Sequence, residues 1–246
     1  MKTFYAILIF LVSLKGFGQN SKQDYGIGML ICNTTYPLVF YKKSFDKVPV
    51  DTLKFVDNKN GTTTFLRKIN LKPYGMSFGE TDEEAAKHDD LGRFSASLTF
   101  RVLENKKNFF LVVINEKTNE KLYLKKEKDA TYYNGVPEAT KHNCGNCNDP
   151  KFNDKRYIYE SWDDYLRRVE YISKINPEIF DVPGGDIIYE TKDNEARRFK
   201  VLEANGEWIK VKKSDRDSEN SFNGEGWMKW LEDGKKTIEI IEIVLI

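Results

Sequence analysis

Cys144 and Cys147 are the residues whose type and spacing are best suited to chemistry, because they form a Cys-x-x-Cys pair. Such a pair exchanges disulfides when it begins a helix in a thioredoxin-like fold, where one thiol has a lowered pKa. Glycine, asparagine, aspartate and proline surround this pair, however, and predict a loop. We therefore predict a small structural disulfide between the two cysteines. The alternatives are a disulfide from one of them to Cys32, free thiols, and a redox or zinc site that also uses His142.

A second candidate is the acidic stretch from Glu80 to Asp90, since carboxylates can bind calcium or act as an acid and base pair. Its ligand spacing is irregular, and Lys87 and Arg93 lie close, which is typical of a solvated loop. The chain contains no His-Glu-x-x-His segment and no phosphate-binding Gly-x-x-x-x-Gly-Lys segment. We predict no catalytic residue, no metal ligand and no cofactor. A secreted hydrolase that uses the 80–90 carboxylates is the alternative.

Four aromatic residues near the C-terminus, Tyr189, Trp208, Trp227 and Trp230, are candidates for ligand binding. Exposed indole and phenol rings on a small β domain can stack on sugars or hold a peptide, and their polar tips form hydrogen bonds. Trp227 and Trp230 are three residues apart on a predicted strand, so they should face opposite sides. We expect Trp208 and one of these two to fill the core, which leaves Tyr189 and the remaining tryptophan exposed.

The elements that must position these residues begin with a β-rich region, predicted over residues 19–128. Apolar residues alternate there as in half-buried strands, most clearly from Phe94 to Val102 in FSASLTFRV. No helical period intervenes, so an antiparallel β-sandwich or barrel is expected. Seven short strands are predicted, at 27–31, 38–41, 53–56, 62–69, 94–102, 109–114 and 122–124.

Residues 129–179 are predicted to form a linker that contains the cysteine loop and one α-helix. The helix is expected over residues 161–176, with Ser161 as its N-cap and Asn176-Pro177 at its end. Its apolar face has the spacing of a helix that packs against a β domain. This face would carry Trp162, Tyr165, Leu166, Val169 and Ile172.

Residues 180–246 contain five strand signals, at 187–189, 199–202, 208–211, 226–230 and 238–243. A small closed barrel is expected, since closure removes exposed strand edges. Asn205-Gly206 is a tight-turn signal between the second and third of these strands. The run NGEWIKV, from Asn205 to Val211, followed by Gly226-Trp227-Met228, resembles the bacterial SH3-like domain.

This resemblance covers about a quarter of the chain and implies a small SH3-like β-barrel with a binding or accessory role. Members of that family commonly sit beside cell-wall hydrolase domains and are taken to hold peptidoglycan or other envelope ligands. The order of an export signal, a β domain and this barrel is also similar to uncharacterised secreted proteins of the Bacteroidetes type.

The N-terminus predicts export. Lys2 is followed by the eleven uncharged residues FYAILIFLVSL, which have the length of a signal-peptide core and are too short to span a bilayer. Gly16 and Gly18 supply small residues before a cut at Gln19. We expect residues 1–18 to be removed, with no lipobox cysteine, giving a secreted or periplasmic product without a transmembrane anchor.

Composition narrows the function classes. The chain has 246 residues, 40% of them hydrophobic, which suffices for one or two packed cores. Its formal charge of +1 supplies no basic field for nucleic acid. We therefore predict a mainly β, non-enzymatic binding or accessory protein, whose partner is a cell-wall or envelope polymer or a protein or peptide. A structural envelope spacer is the remaining alternative.

Overall fold

The computed structural model describes residues 25–57, 63–77, 97–142, 153 and 155–241. These residues form two large sheets, a two-stranded hairpin and two short helices, Val136–Lys141 and Trp162–Arg168. The predicted mainly β class is confirmed. Neither helix has the length and hydropathy needed to cross a membrane.

The first sheet has ten strands and contains every strand predicted upstream of residue 128. Its pairs are antiparallel, apart from the parallel pair formed by the last two strands. The strands are β1 (Gly28–Asn33), β2 (Leu38–Tyr41), β3 (Asp51–Asp57), β4 (Thr63–Leu66), β5 (Gly75–Ser77), β6 (Ser97–Asn105), β7 (Phe109–Asn115), β8 (Glu120–Lys125), β9 (Thr131–Asn134) and β10 (Arg156–Ser161).

The strand order of the first sheet is β4-β3-β2-β8-β7-β6-β1-β10-β9, with β5 attached to β6. This order is an open path in the described residues, so the barrel alternative is not realised there. Alternation along β7 and β8 buries Phe110, Val112, Leu122 and Leu124 on one face. These side chains pack in one core with residues of β1, β2 and β6.

The second sheet has seven antiparallel strands in the described residues. They are β11 (Tyr171–Ile175), β12 (Glu178–Phe180), β13 (Ile187–Glu190), β14 (Ala196–Asn205), β15 (Trp208–Lys213), β16 (Glu225–Lys229) and β19 (Glu239–Ile241), and a small hairpin joins β17 (Leu231–Glu232) to β18 (Lys235–Lys236). The order is β13-β12-β16-β15-β14-β11-β19. Because β13 and β19 end this path without pairing to each other, the prediction of a closed barrel was wrong for the described residues.

The predicted helix over 161–176 is shorter than expected. Ser161 caps it as predicted, since its hydroxyl accepts a 3.1 Å hydrogen bond from the backbone N–H of Asp164. The helix ends at Arg168, and β11 follows. Residues of β11 pair with β14 on one side and β19 on the other. These two ladders satisfy the backbone and keep Ile172 buried, so strand formation prevails over the local helical period.

The two sheets share side chains at a seam between them. On β1, Leu30 belongs to the core of the first sheet, whereas its neighbour Met29 belongs to the core of the second. Tyr25 and Tyr74 also pack against the second core. The Trp162–Arg168 helix contributes its buried face to the same core. The segment predicted as a linker, residues 129–179, therefore contributes this helix to the second core.

Candidate functional site

Trp208 and Trp227 lie on the solvent side of the second sheet, because residues alternate between the two faces of β15 and β16. Both indoles are partly exposed, whereas Ile209, which follows Trp208, is fully buried. Trp227 lies directly across from Lys210 on β15 and from Phe180 on β12. The three rings of Phe180, Trp208 and Trp227 therefore share one face, which we name the outer aromatic surface.

Phe180 and Trp208 are in direct ring contact, with centroids 5.3 Å apart and planes inclined at 89°. Their strands, β12 and β15, are separated by β16, so the two rings meet above that strand. Edge-to-face contact of this kind is favourable and fixes ring orientation. Phe180 was not among the sequence candidates. Its one signal is an aromatic residue directly before the turn-forming segment DVPGG.

Charged side chains lie beside these rings. Lys210 Nζ is 2.6 Å from Glu225 Oε2, and Lys229 Nζ is 3.6 Å from Glu207 Oε2. The hydrogen bond with Glu225 raises the pKa of Lys210, and Lys210 lowers the pKa of Glu225. Rings that stack next to charged hydrogen-bonding groups suit a flat ligand with polar substituents, such as a sugar, or an extended peptide.

Gly226 sets the spacing of the strands below the surface. A Cβ atom at this position would lie 2.4 Å from Ile179 Cγ2 and 2.9 Å from the carbonyl oxygen of Phe180. A larger residue would push β12 away from β16 and displace Phe180 relative to Trp227. Close packing of β12 against β16 therefore explains why the Gly-Trp-Met motif has a glycine at position 226.

Trp230 does not join the outer aromatic surface. Its side chain is only 1% exposed, and its indole N–H donates to the carbonyl oxygen of Gly206 at 2.9 Å. Its ring meets those of Tyr25 and Trp162, with centroid distances of 5.4 Å and 5.7 Å. As the alternation of Trp227 and Trp230 predicts, one of the two indoles is exposed and the other is buried.

Next to this buried ring cluster is a cavity of about 590 Å³ at the seam. The residue pair Trp162 and Trp230 lines it, together with Tyr25–Ile27, the β14–β15 turn and the β17–β18 hairpin. Asp163 lines it too, but this carboxylate accepts a 2.7 Å hydrogen bond from the N–H of Ala204 and pairs with Arg167. The indole N–H groups are likewise satisfied by the backbone. The cavity is mainly a gap beside packed rings.

Tyr189 lies on the opposite, core side of the second sheet. Its hydroxyl donates to Asn220 Oδ1 at 3.2 Å, and its ring centroid is 5.2 Å from that of Phe222. Both partners are buried. The expectation that Trp208 fills the core and Tyr189 is exposed was therefore wrong, because strand alternation places Trp208 on the outer face and Tyr189 against the core. Trp208 and Trp227 come together on one face, whereas Tyr189 and Trp230 make packing contacts elsewhere.

The remaining candidates for chemistry fall partly outside the described residues. Cys144, Cys147 and the stretch 80–90 lie there, so the predicted disulfide and the acidic alternative remain predictions. Cys32 is a free thiol, fully buried in the first core, and burial raises its pKa. His142 stacks on Tyr133 at 5.9 Å. Within the described ranges, no three or more His, Cys, Asp or Glu residues are grouped as a metal site.

The segment from Gly75 to Gly79 has the Gly-x-Ser-x-Gly spacing of a nucleophile elbow. That motif needs its serine at a sharp turn from a strand into a helix. Ser77 is the last residue of β5, directly across from Ser97 in an antiparallel ladder. The turn and helix that the motif requires would begin at Phe78, outside the described part of the chain, so the motif is assigned no role here.

No protein-family model, no curated protein sequence and no solved structure matches this chain.

Proposed function

We propose that this protein is an exported, non-enzymatic binding protein that recognises a cell-envelope ligand or a partner protein through its SH3-like C-terminal region. Export rests on the composition of residues 1–18. The SH3-like character rests on the Asn205–Val211 and Gly226–Met228 motifs. The first motif runs from the last residue of β14 through the turn into β15, and the second motif lies in β16.

The observation that carries the proposal is the outer aromatic surface. This surface has three partly exposed rings, those of Phe180, Trp208 and Trp227. Polar side chains would be solvated without penalty at these positions, so folding alone does not require aromatic residues there. Two further apolar residues nearby, Ile187 and Val182, are 47% and 52% exposed. A group of exposed apolar side chains on a sheet face is a common mark of an interaction site. Recognition by these rings requires no covalent step.

The test is a pull-down of the processed protein on purified cell wall and on envelope extract. Trp208→Ala and Trp227→Ala should each reduce the bound fraction about tenfold, since aromatic anchors dominate binding energy. Tyr123→Ala is a matched control, because Tyr123 is a partly exposed aromatic residue on the first sheet, in edge-to-face contact with Phe109. Circular dichroism would confirm that all three variants fold.

Equal binding by both tryptophan variants and the parent would contradict the proposal and favour the spacer alternative. The same samples test export, because N-terminal sequencing of the secreted product should begin at Gln19. The hydrolase alternative relies on residues 80–90, and no observation on the described residues favours it.

A further inference from the structure

The hairpin of β12 and β13 ends the second sheet. Among the described residues, β13 pairs only with β12, so its other side presents unpaired backbone groups. An open strand edge is a template for another strand. Two side chains of β13, Ile187 and Ile188, are 47% and 50% exposed. Ile187 lies directly across from Phe180, so this edge is continuous with the outer aromatic surface.

The same hairpin is strongly acidic. Residues 178–195 contain six carboxylates and one lysine, a formal charge of −5. Arg197 pairs with both Asp193 and Glu195, and its single positive charge brings the net charge to −4. Four carboxylates of the hairpin lie outside this Arg197 pairing. The four are Glu178, Asp181, Asp186 and Glu190.

Two of these acids face each other across the hairpin, and one of them, Glu190, lies on the edge strand. Glu178 and Glu190 are directly opposite each other on β12 and β13, and Lys192 is 2.9 Å from Glu190. Like charges placed opposite each other are unfavourable in a sheet. A positive side chain that arrives beside Glu190 would therefore relieve this repulsion as well as form a new ion pair.

A second copy of this chain fits the edge poorly. Pairing two β13 edges would bring two hairpins of the same negative sign together. Charge complementarity favours a basic occupant, and the open ladder favours an extended one.

We propose that β13 captures a basic, extended polypeptide segment that adds to the second sheet as a further strand. Backbone hydrogen bonds would give affinity, apolar side chains of the segment would cover Ile187 and Ile188, and its lysines or arginines would pair with the hairpin carboxylates. This inference goes beyond the proposed function, because it adds a second binding surface, the edge of β13, next to the outer aromatic surface.

The test uses the processed protein and three labelled probe peptides of about eight residues each. The first alternates lysine and valine, the second alternates glutamate and valine, and the third is the lysine peptide N-methylated at every residue. Fluorescence anisotropy should show binding of the first peptide and affinities at least about tenfold weaker for the other two. Raising the salt concentration from about 50 to 300 mM should weaken the binding of the first peptide.

Two variants locate the site. Glu190→Lys should weaken binding of the lysine peptide about tenfold, whereas Glu203→Lys, an exposed position on the interior strand β14, is the matched control. Hydrogen exchange should show β13 amides that are unprotected alone and protected with the peptide. The Trp208→Ala and Trp227→Ala variants should retain peptide binding at this edge, so failure of the edge and failure of the outer aromatic surface are distinguishable.

Equal binding of the lysine and N-methylated peptides would overturn strand addition, because only charge would then be recognised. Equal binding of the lysine and glutamate peptides, or protection of β13 amides in the free monomer, would overturn the proposal as a whole. Dimerisation in analytical ultracentrifugation that is lost in Ile188→Pro would show that a second copy is the occupant instead.

Discussion

The indole rings of Trp162 and Trp230 meet at the seam between the two sheets, with centroids 5.7 Å apart and planes inclined at 61°. Each indole N–H donates to a backbone carbonyl, that of Trp162 to Gly26 at 3.0 Å and that of Trp230 to Gly206 at 2.9 Å. The pair therefore joins the start of the first sheet to the β14–β15 turn of the second. Both rings are buried, so this contact is part of a core and not of an open surface.

Truncation of either ring should destabilise both sheets together. We expect Trp162→Ala and Trp230→Ala each to lower the free energy of unfolding by about 3–5 kcal/mol. The Trp162→Phe/Trp230→Phe double-mutant cycle should show a coupling of about 0.5–1.5 kcal/mol. Urea unfolding followed by circular dichroism measures both quantities, with Trp208→Ala as the partly exposed control. Two separate transitions, only one of them shifted, would show that the sheets unfold independently.

Arg101 binds the backbone of the segment that precedes β1. Its guanidinium is 1% exposed; Nε is 3.1 Å from both carboxylate oxygens of Glu116, and Nη1 donates to the carbonyl oxygen of Tyr25 at 2.9 Å. Arg101→Met should lower the free energy of unfolding by about 1–3 kcal/mol, because Glu116 and the carbonyl of Tyr25 lose their charged donor while the Glu116 side chain, 29% exposed, stays partly solvated. Arg101→Lys should recover only part of this, since an ammonium group cannot reproduce the fork of donors.

Chemical denaturation would measure both Arg101 variants. Lys107→Met is the control, because Lys107 lies exposed in the turn between β6 and β7. A change of less than about 1 kcal/mol in Arg101→Met would mean that an apolar side chain can replace the buried guanidinium.

Cys32 should be inert to thiol reagents in the folded protein. It is fully buried, and the burial that raises its pKa suppresses the reactive thiolate. After denaturation without reductant we expect one alkylated cysteine per chain, and after reduction all three, if Cys144 and Cys147 form the predicted disulfide. Peptide mapping by mass spectrometry identifies the modified positions. Rapid alkylation of Cys32 in the native state would contradict its place in the first core.

Alkaline pH should destabilise the fold through Tyr132. Burial raises the pKa of this phenol to about 12. Above about pH 10 the unfolded chain releases the phenolic proton while the folded chain keeps it, so the folded state binds more protons. The free energy of unfolding should therefore be largest below pH 10 and should fall as the pH rises towards 12.

Urea unfolding at about pH 8 and about pH 11 would measure this fall. Tyr132→Phe should reduce the difference between the two pH values. At the lower pH it should cost about 0.5–1.5 kcal/mol, because the hydroxyl that accepts from the N–H of Glu127 is lost. An unchanged slope in the variant would assign the alkaline loss to other groups.

Local patterns predicted much of the described secondary structure. The strand at Leu38–Tyr41, the hairpin of β7 and β8, the turn at Asn205-Gly206 and the Ser161 cap all match. The hairpin, the turn and the cap depend on contacts between residues close in sequence, such as a side chain with a backbone N–H three residues away. The strand Leu38–Tyr41 was recognisable from its apolar alternation, although it pairs with the distant β8.

The candidate site was only half predictable. The alternation of apolar and polar residues predicted that Trp208 and Trp227 lie on strands. Their proximity to Phe180 depends on the position of β16 between β12 and β15, which the sequence pattern does not give. Another non-local pairing, that of β11 with β14 and β19, makes Tyr171–Ile175 a strand where a helix was predicted.

By itself the sequence determined which segments are β-rich, where several turns fall and which side chains are apolar. Tertiary structure decided which core each apolar side chain enters, as Met29 and Leu30 show by entering different cores from adjacent positions. It also left Trp227 outside while it buried Trp230. The physical reason is that burial and strand pairing are settled by partners far away along the chain, and the free energy of those contacts exceeds any local preference.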